Sequence, residues 1–142
     1  METMTSNNGI INQGTGYICP GKVLLVEDEV ACAILVQEIL SETPIQVITV
    51  HNGIKALETL KQIQDIDVIL LDIRLPELSG FEVFKRAREI NQTIPIIALT
   101  ATPSRFYQQR CDQMGFADYI LKPFTIEELI RSVNIALLNK YN

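Results

Sequence analysis

Three carboxylates, a hydroxyl and an amine stand out in this chain as side chains able to work together: Glu27, Asp28, Asp72, Thr100 and Lys122. One lysine cannot neutralise three carboxylates held close together. Such a cluster either raises a carboxyl pKa or recruits a hard divalent cation with oxygen ligands. Mg²⁺ fits best, because it accepts one or two carboxylates, keeps several waters and takes a phosphate oxygen as a further ligand. Asp72 beside Mg²⁺, with Lys122 and Thr100 near, has what a carboxylate needs to accept a phosphoryl group. The metal and the amine neutralise the transferring oxygens, the hydroxyl donates to one of them, and the carboxylate attacks in line. Taken singly, each residue has a plainer role. Glu27-Asp28-Glu29 reads as acids at a helix N-terminus, Asp72 ahead of Pro76 as a turn carboxylate, Thr100 as a helix-entry residue and Lys122 as a solvated charge. Their joint placement is what argues for chemistry.

That placement depends on the elements around them. Short apolar runs at 23–26, 45–50, 68–71, 96–99 and 119–121 alternate with segments of helical period. The helices are expected at about 30–40, at about 54–63, around Val83, Phe84, Ala87 and Ile90, around Tyr107, Cys111 and Met114, and from Thr125 onward. Thr125 and Glu128 form a capping box, and Ile126, Leu129, Ile130, Val133 and Leu137 are the expected buried stripe. Strand–helix alternation calls for an α/β fold: a doubly wound, five-stranded parallel sheet with five helices on its two faces. Runs one, three and four are solidly apolar and suit central strands. Run two carries Gln46 and Thr49 and run five is short, so both suit edges, which fits the order 2-1-3-4-5. Ligands bind such sheets at the carboxyl ends of the strands. Glu27 and Asp28 follow run one, Asp72 follows run three, Thr100 run four and Lys122 run five. His51, the single histidine, follows edge run two and reads as a surface residue outside the cluster.

The bulk properties exclude several classes. At 142 residues there is room for one domain that folds without disulfides or metals. A net charge of −5 argues against direct contact with a nucleic-acid backbone. Cys19, Cys32 and Cys111 show no metal-ligand spacing and read as core residues of a reduced, cytoplasmic chain. No apolar run is long enough to span a membrane, and the N-terminus lacks the pattern of a signal peptide. Residues 1–20, rich in Ser, Thr, Asn and Gly, read as a flexible tail ahead of a domain at 21–142.

From about residue 22 to residue 141 the chain resembles the response-regulator receiver domain of two-component signalling, with its flavodoxin-like fold. The resemblance rests on Val26-Glu27-Asp28-Glu29, on Leu71-Asp72-Ile73-Arg74-Leu75-Pro76-Glu77-Leu78-Ser79-Gly80, on Ala98-Leu99-Thr100-Ala101 and on Lys122-Pro123-Phe124. It implies that Asp72 is the phosphoacceptor and that Glu27, Asp28, Asp72 and the backbone carbonyl of Arg74 bind Mg²⁺. Lys122 would contact the phosphoryl group, Thr100 would move to bond it, and Tyr119 would be the aromatic switch. Glu27 stands where the family more often has aspartate, Lys122-Pro123 sits at a peptide that is often cis, and Arg74 and Thr102 sit where the family tunes phosphoryl lifetime. The implied partners are a histidine kinase or histidine phosphotransfer protein and a downstream protein docking on the face of the fourth helix, fifth strand and fifth helix (104–139). No output domain is expected after the fifth helix, so output runs through protein contact, with homodimerisation left open. The chain is read as a signalling domain and not an enzyme. An unphosphorylated pseudo-receiver acting as a binding module is the alternative. A phosphohydrolase of the haloacid-dehalogenase kind wants a second aspartate where Arg74 stands.

Overall fold

A computed structural model describes the backbone of residues 4–6 and 9–12, and residues 16–140 in full. The chain begins with three short strands, β1 (Met4–Ser6), β2 (Gly9–Asn12) and β3 (Gly16–Ile18), paired antiparallel in the order β1-β2-β3. Then come β4 (Gly21–Val26), α1 (Val30–Ser41), β5 (Ile45–Val50), α2 (Gly53–Gln62) and β6 (Val68–Asp72). The chain continues through α3 (Gly80–Ile90), β7 (Ile96–Thr100), α4 (Arg105–Met114), β8 (Asp118–Leu121) and α5 (Ile126–Asn139). β4 to β8 form a parallel sheet in the order β5-β4-β6-β7-β8, which is the expected 2-1-3-4-5. The two polar or short runs are indeed its edges.

Side chains on a strand alternate between faces, and the central strands divide accordingly. Val23 and Leu25, Val68 and Leu70, and Ile97 and Leu99 pack with α1 and α5. Leu24 and Val26, Ile69 and Leu71, and Ile96 and Ala98 pack with α2, α3 and α4. Both faces are dry, so these strands need apolar residues at every position until the chain leaves the core. Helices α2 to α5 start where short polar side chains accept a backbone N–H: Asn52 from Lys55, Ser79 from Glu82, Ser104 from Tyr107 and Thr125 from Glu128. Helix α4 stops at Gly115, whose φ of 97° is one that L side chains rarely adopt.

Two expectations change. Ile126 belongs to the apolar stripe of α5 by period, yet it is 57% exposed. It is the first residue of the helix, and periodicity cannot say where the surface opposite ends. Of the segment expected to be a tail, residues 4–6, 9–12 and 16–18 are in strands, and Ile18 and Cys19 are buried in the α1/α5 core; residues 1–3, 7–8 and 13–15 lie outside the described residues. The anchor comes from far along the chain. Buried Asn134 of α5 accepts the Cys19 N–H at 2.8 Å and donates through Nδ2 to the Tyr17 carbonyl at 2.6 Å. Among the described residues no helix is long and apolar enough to cross a membrane.

Asn134→Ala strips the Cys19 amide of its partner. The expected cost is about 1–2 kcal/mol of stability, read by urea unfolding, with faster hydrogen exchange at the Cys19 amide; unchanged exchange there would show that the clamp is idle.

Candidate functional site

The sheet brings the reactive residues to one rim because β4, β6, β7 and β8 end at nearly the same level. Asp72 is paired with Leu99, and Thr100 with Leu121, so Asp72 and Thr100 end their strands and Lys122 directly follows β8. The Lys122 N–H donates to the Thr100 carbonyl at 2.8 Å, and the Glu27 N–H donates to the Val50 carbonyl at 3.0 Å. Glu27, Asp72 and Thr100 are buried, whereas Asp28 is exposed. Lys122 pairs with Oε1 of Glu27 and lies 3.4 Å from Oδ2 of Asp72. The Arg74 N–H donates to Oδ1 of Asp72 at 2.9 Å. The Lys122–Pro123 peptide is cis.

Thr102 joins the remaining parts. Its N–H donates to the Thr100 hydroxyl at 3.1 Å, its hydroxyl accepts from Nη1 of Arg74 at 3.0 Å, and its carbonyl accepts from the Tyr119 hydroxyl at 3.1 Å. The Tyr119 ring is half-buried and packs into the α2/α3/α4 core. Gly80 has no freedom to carry a side chain: a Cβ there would lie 2.5 Å from the Asp72 carbonyl oxygen. Its N–H donates to the Ile73 carbonyl at 2.9 Å, which closes the loop below the aspartate.

Charge crowding shifts the acids apart. Burial, then the hydrogen bond and negative charge of Glu27, push Asp72 up to about 7. Burial also pushes Glu27 up, but hydrogen bonds with Asp72, Lys122 and Cys32 outweigh it and hold that carboxyl below its ordinary value. Burial pulls Lys122 down, and the two carboxylates more than reverse this, so it stays protonated. One oxygen each from Glu27, Asp28 and Asp72 lie within 4.8 Å of one another. An all-oxygen set, with one member open to solvent and one lysine as counter-charge, fits a hard divalent cation.

Every residue expected at the site is at this rim. His51 stays exposed, but its Nδ1 donates to the Glu27 carbonyl at 3.0 Å, so the segment after β5 does touch the acidic loop. The three cysteines are buried and unpaired with one another, as expected. Burial, and then the neighbouring Glu27 carboxylate, push the Cys32 thiol up to about 12.

A parallel α/β sheet carrying a metal-fitting carboxylate, a lysine and a buried hydroxyl at its carboxyl rim defines an aspartate-based phosphoacceptor. The chain belongs to the response-regulator receiver domains of two-component signalling: the family model for that domain matches residues 23–134. It is 38% identical over 117 residues to the transcriptional regulatory protein YkoG of Bacillus subtilis, covering 82% of this chain and 51% of that one. It is 31% identical over 121 residues to sporulation initiation phosphotransferase F of the same species, covering 85% and 97%. The receiver domain of the sensor histidine kinase PA1611 of Pseudomonas aeruginosa, described with magnesium in its active-site cleft, superposes with a TM-score of 0.75 at 33% identity, covering 84% and 98%. The chain spans about half the length of the transcriptional regulators it matches, so the expectations of no output domain and no nucleic-acid contact gain nothing from these matches. The domain is a phosphoacceptor switch of the signalling class. The pseudo-receiver alternative finds no support, since all four site elements are present and assembled.

The raised Asp72 pKa sets a pH dependence. The folded protein keeps this proton where the unfolded chain has lost it, so metal-free stability falls as pH rises from about 4 to about 7. Urea unfolding in chelator is expected to show a loss of roughly 2–4 kcal/mol over that window from this group, and Asp72→Asn is expected to remove it. Parallel pH profiles for the two proteins would contradict the assignment.

Proposed function

We propose that Asp72 accepts a phosphoryl group from a histidine kinase or histidine phosphotransfer protein, in a Mg²⁺-dependent step, and that phosphorylation changes a protein-docking face. The observation that carries this is the Asp72 carboxylate at a strand end with Lys122, Thr100, Glu27 and Asp28 converging on it. In the transfer the phosphorus–nitrogen bond of a donor phosphohistidine protonated on its other ring nitrogen breaks and a phosphorus–oxygen bond to the Asp72 carboxylate forms, so that the ring leaves as neutral imidazole. Mg²⁺, held by Glu27, Asp28, Asp72 and the carbonyl of Arg74, would neutralise charge on the transferring oxygens. Lys122 holds a fixed positive charge against the same oxygens, and the Arg74 N–H orients the carboxylate.

Thr100 is the link to output. Its hydroxyl accepts the Thr102 N–H, and turning to donate to a phosphoryl oxygen rearranges the segment that Tyr119 holds by the Thr102 carbonyl. Two packings of the α4–β8–α5 face differ in this contact, and phosphorylation shifts their populations. Exposed Phe106, Leu121 and Ile126 lie on that face and suit a protein partner. Slow loss of the phosphoryl group to water resets the switch, and the reading implies a cytoplasmic setting with the kinase.

Incubation with Mg²⁺ and acetyl phosphate is expected to add one phosphate-sized mass to the intact protein, and none to Asp72→Asn. A wild type without the adduct, or an Asn variant that gains it, sinks the reading. Lys122→Ala is expected to retain metal binding while the ring NMR signals of Tyr119 no longer respond to phosphodonor; a response equal to the wild type's refutes the role given to Lys122.

A further inference from the structure

We infer that His51 is a positioning residue for the metal site: by holding the Glu27 carbonyl it fixes the peptide that carries Asp28 and aims that carboxylate at the cation. The inference rests on the proposed Mg²⁺-dependent function. Glu27 and Asp28 supply two of the three clustered carboxylates, and both lie on the short loop between β4 and α1. That loop has little of its own to hold it. Helices α2 to α5 each start on a side-chain cap, whereas Glu29 at the start of α1 makes none. The Glu29 N–H reaches the Glu27 carboxylate at 3.3 Å, a long bond that fixes little. Asp28 is exposed, and among the described residues no hydrogen bond or ion pair holds its carboxylate. Its direction is therefore set by the backbone.

That backbone is fastened to the end of β5 and the segment after it. The Glu27 N–H donates to the Val50 carbonyl at 3.0 Å, continuing the β4–β5 ladder by one residue. The Glu27 carbonyl belongs to the next peptide, the one joining Glu27 to Asp28, and its donor is Nδ1 of His51 at 3.0 Å. Because the acceptor is a carbonyl, the ring carries a proton on that nitrogen. The donor is itself anchored. Asn52 accepts the Lys55 N–H at 2.8 Å and caps α2. Gly53 is packed so closely that a Cβ there would lie 2.5 Å from Val83 Cγ2 and 3.2 Å from Leu78 Cδ2. Leu78 lies on the loop that follows Asp72, where its N–H donates to the Pro76 carbonyl at 2.7 Å across Glu77, whose φ is 65°. The segment from His51 to Gly53 thus bridges the two loops that carry the three acids, and His51 is its contact with the first.

The plainer role for His51 is an exposed loop residue whose bond is incidental, and two variants separate the roles. His51→Asn keeps a donor, its amide nitrogen standing where Nδ1 does, and His51→Leu has none. Both are compared with the wild type by Mg²⁺ titration calorimetry and by urea unfolding in chelator. An exposed ring carries little stability, so the unfolding midpoints are expected to agree. One hydrogen bond is at stake, so the Leu variant is expected to bind Mg²⁺ about three- to tenfold more weakly, and the Asn variant within about twofold of wild type. A double-mutant cycle reads the route through Asp28: once Asp28→Asn is in place, His51→Leu is expected to cost nothing further. Wild-type affinity in the Leu variant overturns the inference, as does equal weakening in Asn and Leu, or a Leu loss undiminished beside Asp28→Asn. A midpoint that falls with the affinity also overturns it, since that marks a merely structural bond. Failure of the wild type to bind Mg²⁺ overturns the functional reading and this inference with it. A wild type that binds Mg²⁺ and gains the phosphate-sized mass, beside variants that do not differ from it, overturns the inference alone.

Discussion

The structure is organised around a repulsion it does not cancel. Glu27, Asp28 and Asp72 place carboxylate oxygens within 4.8 Å of one another, with Lys122 as the cation bonded to two of them. At an effective dielectric of about 20, one such pair repels by roughly 3 kcal/mol or more. A protein selected for stability alone would replace one of these acids. Here the sheet, the cis peptide after Lys122 and the tight loop closed by Gly80 hold them together. The outcome is a carboxyl pushed toward neutrality at Asp72 and a strong preference for any ligand that brings positive charge.

Under the proposed function, the same rim supplies the route by which a local charge change would reach a distant surface. Asp72 and Arg74 sit on the β6–α3 loop, Thr100 and Thr102 follow β7, and Tyr119 lies on β8. Thr102 is bonded to Arg74, Thr100 and Tyr119 through three different atoms. A hydroxyl that changes partner at Thr100 therefore disturbs both the loop beside the phosphoacceptor and the ring that packs behind α4. The proposed coupling runs through hydrogen bonds between strand ends, beside strands packed between two dry cores.

Much of this was legible in the residues. The strands have no freedom in composition, because both faces are covered, so they show as unbroken apolar runs. The first polar residue after each run marks the place where the chain leaves the core. Asp72, Thr100 and Lys122 were found in that way, and Glu27 is the first acid after Val26. What stayed hidden depends on partners far apart in sequence. Asn134 fastens residues 17–19 from 115 residues or more away, so a Ser/Thr/Asn/Gly-rich segment read as a tail ends inside the core. Ile126 fits the helical period but finds nothing opposite it. His51 was separated from the site because its strand is an edge, although an edge strand still ends beside its neighbour, here at the Glu27 carbonyl.

The sequence by itself determined the fold class, which runs are central strands and which are edges, and which carboxylate stands at the end of the third run. These are consequences of local composition: burial on two faces demands apolar runs, and chemistry at their ends demands polar residues. Only the tertiary structure decided how the polar residues share their hydrogen bonds. It assigned Lys122 to both Glu27 and Asp72, gave Thr102 three partners and brought the His51 ring to the Glu27 carbonyl. Those pairings depend on distances between strands and helices that lie far apart along the chain, and no spacing in the sequence encodes them.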